Sequence, residues 1–142
     1  MERLILDTGV LIAVERRKVV LDHVLADDDD PVIAAITAAE LLQGVELADD
    51  TNRLARQSFV DAILATIPVE EYTVDIARAH ARLLAHVRRA GQPRGAHDLI
   101  IAATALTTAR TVVTYDKRAR FDDLPGVRVL GCDGPGRIAV GK

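Results

Sequence analysis

Short apolar runs alternate with longer stretches of helical period along this chain, which predicts an α/β domain built on a mainly parallel sheet. Leu4-Ile5-Leu6 reads as a buried first strand that stops at Asp7. Thr8 opens a helix through Val10, Leu11 and Val14, and a second helix spans Val19 to Leu25. Asp27 to Asp30 and then Pro31 close that segment, and residues 31–36 (PVIAAI) form a second strand. Thr37 starts a helix through Leu41, Leu42, Val45 and Leu47. Ala55, Phe59, Ile63 and Ile67 recur every fourth residue on one face of a helix from Asn52, which Pro68 ends. Val69 begins a short strand, and Thr73 caps a long helix to about Arg89 that Gly91 and Pro93 terminate.

That long helix carries two apolar stripes, Val74/Ala77/Ala81/Leu84 and Ile76/His80/Leu83/Val87. A helix apolar on two sides is usually covered on both, so one stripe is expected on the sheet and the other on a partner chain. Leu99 to Ala109 is the next helix, Thr111 to Thr114 a strand ending near Asp116, and Val127 to Leu130 the last strand. Gly131 onward is rich in Gly and polar residues. The expected organisation is one domain over residues 1–131 and a flexible tail over 132–142.

Composition narrows the class. The chain has 142 residues, 49% hydrophobic and 27% charged, a globular balance large enough for a real core. No apolar run approaches the roughly 20 residues that span a bilayer. The opening MERLILDTG lacks a signal peptide's apolar segment, and a lone cysteine, Cys132, suits a reducing compartment, so a cytoplasmic location without a membrane partner is expected. A net charge of −3 leaves any nucleic-acid contact to local basic patches, and two Tyr, two Phe and no Trp argue against a base-stacking platform.

The candidate chemistry lies in four acids at element ends. Asp7 follows the first strand, Glu40 the start of the helix after the second, Asp98 opens the penultimate helix, and Asp116 follows the Thr111–Thr114 strand. Sites in open parallel sheets form at the strands' carboxyl ends, where strand order reverses, so these acids could meet there. Two carboxylates about 4 Å apart repel by roughly 4 kcal/mol at an effective dielectric of about 20. Such a cluster takes up protons or binds a cation, and all-oxygen ligands suit Mg²⁺ or Mn²⁺. The matching reaction is metal-assisted phosphodiester hydrolysis. Each acid also has a plainer role: Thr37-Ala-Ala-Glu40 fits a capping box, Asp98 a helix cap or first-turn acid, and Asp116 a turn residue. Asp7, tight against a buried strand, is hardest to explain that way. A receiver domain would need an acidic doublet after Leu6, which is missing.

LILDTGVLI (4–12), TAAELLQG (37–44), DLIIAATA (98–105) and VVTYD (112–116) together resemble the PIN-domain ribonucleases, specifically VapC-type toxins of toxin–antitoxin pairs. The resemblance runs from about residue 2 to residue 130. It implies a three-layer α/β/α fold and a Mg²⁺-dependent endoribonuclease, with Mn²⁺ as a substitute. It carries metal-binding and catalytic roles onto Asp7, Glu40, Asp98 and Asp116, with Asp122 or Asp123 as rivals of the last. Thr8 and Thr114 would support a neighbouring carboxylate or water. It also implies an RNA substrate, a homodimer and a cognate VapB-type antitoxin.

Arg94, Lys117, Arg118 and Arg120 flank the acidic blocks and are expected to grip phosphates, whereas Arg16-Arg17-Lys18 reads as solvated. His97, beside Asp98, is a candidate for proton transfer or a plain exposed residue. A non-catalytic PIN-like module that binds RNA or protein is the alternative function.

Overall fold

The structure is a computed structural model that describes residues 1–133 and 136–139. β1 (Arg3–Leu6) leads into α1 (Thr8–Glu15), a short α2 (Leu21–Val24) and β2 (Asp30–Ala34). α3 (Ala35–Leu47), α4 (Arg53–Thr66) and β3 (Val69–Glu70) follow. α5 (Val74–Ala90), α6 (Ala96–Thr107), β4 (Thr111–Thr114), β5 (Val129–Asp133) and β6 (Gly136–Ala139) complete the order.

The sheet runs β3-β2-β1-β4-β5-β6, parallel through its first five strands, with β6 antiparallel to β5. Strand order grows one way from β1 to β3 and the other way from β4, so the reversal lies between β1 and β4. The period of two in these strands sorts the core into two layers. Leu4, Leu6, Ile33 and Val113 face α1, α3 and α4, while Ile5, Val32 and Val112 face α5 and α6. This is the three-layer α/β/α arrangement. Among the described residues no helix is long and apolar enough to cross a membrane.

α5 is built as its sequence suggests. Thr73 Oγ1 accepts from the Ile76 amide, and Gly91 ends the helix at φ 65, in the left-handed region where a Cβ is penalised. Ile76 and Leu83 are buried, with Val87 packed against them, whereas Val74 is 69% and Leu84 48% exposed. The Val74/Ala77/Ala81/Leu84 stripe is therefore largely uncovered in the single chain.

Three expectations need correction. α3 starts at Ala35 with Ala34 at its cap position, so Thr37 lies inside the helix and forms no capping box. α6 runs Ala96–Thr107 and not from Leu99 to Ala109, with Gly95 at its cap position, so of the two roles expected for Asp98 it takes that of the first-turn acid. The expected tail continues β5 to Asp133 and returns as β6 among its described residues, pairing Leu130 with Ala139 and Cys132 with Arg137. The rest of that tail, 134–135 and 140–142, lies outside the described residues.

Candidate active site

The rim where β1 and β4 end, at the strand-order reversal, gathers the acids. Asp7 has the backbone of a helix cap for α1, yet its side chain does not cap that helix. Instead its Oδ2 accepts from Thr114 Oγ1 at 2.9 Å, across the two adjacent strands. The Asp116 amide donates to the same Thr114 hydroxyl at 2.9 Å, tying the end of β4 to Asp7. On the other side, Thr8 Oγ1 lies 2.8 Å from Glu40 Oε1 and 3.0 Å from Thr37 Oγ1. Thr8 and Thr114 thus each hold one of the predicted acids.

The electrostatics show the acids acting on one another. Asp7 is only 6% exposed. Burial pushes its carboxyl up from 3.8 to about 6, against the lowering hydrogen bond from Thr114; Asp98 and Asp116 add repulsion. The Asp98 carboxyl is also raised, by burial first and then by Asp116 and Glu40, while His97 and Arg94 pull it down. Its carboxylate folds over Gly95, where any Cβ would stand 2.9 Å from Asp98 Oδ2. A Cβ there would oblige the Asp98 carboxylate to shift. All four predicted acids therefore share one rim, coupled through the fold and not through sequence proximity.

A PIN-domain family model matches residues 4–127. Ribonuclease VapC5 of Mycobacterium tuberculosis is 36% identical over 130 residues, covering 89% of this chain and 93% of that protein. The chain belongs to the PIN-domain family, in its VapC group. The crystal structure of VapBC-5 from Mycobacterium tuberculosis, a member of the VapBC family of toxin–antitoxin systems, is 29% identical with a TM-score of 0.74, over 99% of this chain and 100% of that one. VapBC2 from Rickettsia felis, bound to a DNA fragment from its promoter, gives a TM-score of 0.83 at 22% identity, over 92% and 99%. At that identity the likeness speaks for the fold alone.

Within this PIN domain the flanking cations divide. Arg94 does not face solvent: its side chain is 5% exposed. Its Nη1 donates to the Ala119 and Arg120 carbonyls at 2.6 Å each, and Nη2 lies 3.8 Å from Asp123. The expected phosphate grip is replaced by a brace between the α6 N-terminus, which carries Asp98, and the loop after Asp116. That loop holds two 3-10 turns, Lys117–Ala119 and Phe121–Asp123, joined at Arg120 with φ 46. Lys117, Arg118 and Arg120 are exposed beside Asp116. Asp116 Oδ1 accepts from the Arg118 amide at 2.9 Å, so Asp116 serves its turn as well as the rim. Its rival Asp123 pairs with Arg94 and Arg120, and the leading charges acting on Asp7 and Asp98 include Asp116 but neither Asp122 nor Asp123.

The sequence suggested only a capping role for Thr37, whose fully buried hydroxyl instead backs Thr8; a polar residue on an apolar helix face was the available signal. His97, weighed for proton transfer or as a plain exposed residue, is exposed and places Nδ1 3.3 Å from Glu40 Oε2. The rim offers hard carboxylate and hydroxyl oxygens with no thiolate. Among the described residues no group of three His, Cys, Asp or Glu side chains stands ready as a metal cage. An ion held by one or two carboxylates with water completing its shell matches such a rim, which is the binding habit of Mg²⁺.

Proposed function

We propose that this VapC-type PIN domain is an endoribonuclease that requires Mg²⁺, with Mn²⁺ as a substitute, and acts in the cytoplasm as the toxin of a toxin–antitoxin pair. The observation that carries the proposal is Asp7: a buried carboxyl raised to about 6 that faces two further acids at the strand reversal. Keeping like charges together without a counter-ion destabilises the fold, so the arrangement has its reason in binding a cation. The ribonuclease name of VapC5 from Mycobacterium tuberculosis supports the reaction class.

Asp7, Glu40, Asp98 and Asp116 would hold the ion, one or two of them directly and the others through its water shell. When bound, the ion would offset phosphodiester charge and lower the pKa of an attacking water. The chain's own residues orient the donors. Thr114 fixes the rotation of the Asp7 carboxylate, Thr8 does the same for Glu40, and the α6 N-terminus favours negative charge on Asp98. His97 can donate to Glu40 Oε2 and leave Oε1 to Thr8. Lys117, Arg118 and Arg120 would neutralise RNA phosphates beside Asp116.

A VapB-type antitoxin is the proposed inhibitor, in line with the VapBC systems of the structural relatives. A homodimer through the uncovered α5 stripe is also proposed, and light scattering at micromolar concentration should give twice the 15.3 kDa chain mass. The deciding experiment is cleavage of cellular RNA with purified protein. Cleavage should need Mg²⁺ or Mn²⁺ and fall at least about a hundredfold in Asp98→Asn. Undiminished cutting in excess chelator defeats the metal assignment, and no cutting under any divalent ion favours the non-catalytic module.

A further inference from the structure

α1 ends at Glu15, and Arg16 and Arg17 follow it, the second in the left-handed region at φ 59. Both line a cavity of about 500 Å³ against α4, together with Glu15, Asn52, Arg56 and Phe59. A narrower cavity of about 100 Å³ is bordered by Glu15, Arg16, Arg56 and Glu40. Glu15, Arg16 and Arg56 belong to both, so one groove leads from Glu40 on the acidic rim outward to Phe59.

The cations in this groove are not equivalent. Arg56 is anchored, with Nη1 donating to the Gly44 carbonyl at 3.2 Å and Nε 3.9 Å from Glu15. The Arg16 and Arg17 side chains are exposed, and no hydrogen bond or ion pair engages either among the described residues. Glu15, the preceding residue in the chain, is directed to Arg56. Arg16 follows Thr8 by eight residues, about 12 Å along the helix axis, and Thr8 touches Glu40. That span is covered by a few nucleotides of an extended strand.

We infer that this groove carries the backbone of single-stranded RNA away from the acids, with Arg16 and Arg17 each meeting a phosphate and Phe59 offering a face for a base. The inference rests on the nuclease reading above. With Lys117, Arg118 and Arg120 beyond Asp116, cations then stand on both sides of the rim, and the scissile bond lies between them. Exposed, unpaired guanidiniums continuous with a phosphodiester-cleaving site suit a polyanion better than an apolar peptide.

The test is binding of a labelled single-stranded oligoribonucleotide, followed by anisotropy across a salt series with Ca²⁺ in place of Mg²⁺. Arg16→Gln/Arg17→Asn removes both charges, and Asn tolerates the left-handed backbone at position 17. Loss of two phosphate contacts should lower the slope of log Kd against log salt by about 1.4 and weaken binding roughly tenfold at low salt. Lys18→Gln, an exposed neighbour outside both cavities, should change the slope far less. An unchanged slope in the double variant overturns the inference and leaves the groove to a protein occupant. An equal effect per charge from Lys18→Gln also overturns it, since the cause is then bulk charge. Cleavage is scored in parallel with Mg²⁺: a lowered slope without any cleavage retires the nuclease reading and keeps the RNA groove.

Discussion

The two ends of the central sheet treat buried charge in opposite ways. At the amino end, Arg110 is 6% exposed, and its two terminal nitrogens meet acceptors. Its Nη1 donates to the Asp30 carbonyl at 2.6 Å and lies 3.3 Å from the Asp30 carboxylate, while Nη2 lies 3.8 Å from Glu70. This guanidinium clips β1, β2 and β3 together and neutralises two carboxylates. At the carboxyl end, Asp7 is equally buried, but the charges that act on it most are the like charges of Asp98 and Asp116. One end resolves its charge within the chain; the other leaves it unresolved. The same fold therefore keeps a stabilising end and an end whose balance awaits something from outside.

The comparison can be broken at either end. The largest effect is expected from Arg110→Met, which removes the donor from the Asp30 and Leu4 carbonyls and separates the ion pairs. A loss of about 4 kcal/mol follows, read as a lower urea midpoint with the slope unchanged. A midpoint that does not move means the amino end is no clamp.

Asp7→Asn should act the other way. Unfolded, the carboxyl titrates near 3.8 and folded near 6, so the folded state holds its proton more tightly. Below 3.8 both states are protonated and the group costs nothing. The penalty opens as pH rises between 3.8 and about 6 and is complete above it, worth about 3 kcal/mol. Thermal melts without divalent ions should show the variant gaining on wild type across that window while RNA cleavage is lost. A constant gap at all pH values would detach the effect from titration.

Arg94→Leu tests the brace that joins the acidic end together. Two carbonyls lose their donor, at a cost of about 2 kcal/mol. A brace predicts that kcat falls, because Asp116 shifts relative to Asp98; a phosphate grip predicts a rise in KM instead. Thr114→Val should be mildest, near 1 kcal/mol. It deletes the hydrogen bond that lowers the Asp7 pKa, so the acid limb of the pH–rate profile moves to higher pH. An unmoved limb removes Asp7 from that limb.

The elements themselves were readable because alternation and helical period are local properties. Thr111–Thr114 is matched residue for residue, and Thr73 and Gly91 bound α5 as their chemistry dictates. The Thr37–Glu40 capping pattern misled, since a local motif cannot tell that β2 gives way to helix at Ala35. Asp7, Glu40, Asp98 and Asp116 were identifiable as residues, but their convergence comes from strand order, which no short window contains. Arg94 shows the opposite failure. Between Pro93 and Gly95 it reads as a surface cation, and only the return of the 117–123 loop supplies the carbonyls that bury it. The hairpin of β5 and β6 was hidden by glycine-rich composition, because Gly offers no side-chain pattern to read.

The bond from Thr114 to Asp7 closes a loop of 107 residues. A nascent polypeptide cannot make it until β4 has cleared the ribosome, by which time nearly the whole domain has emerged and can fold. A chain cut off before β4 lacks Thr114 and Asp116 alike, so its acidic end is never completed.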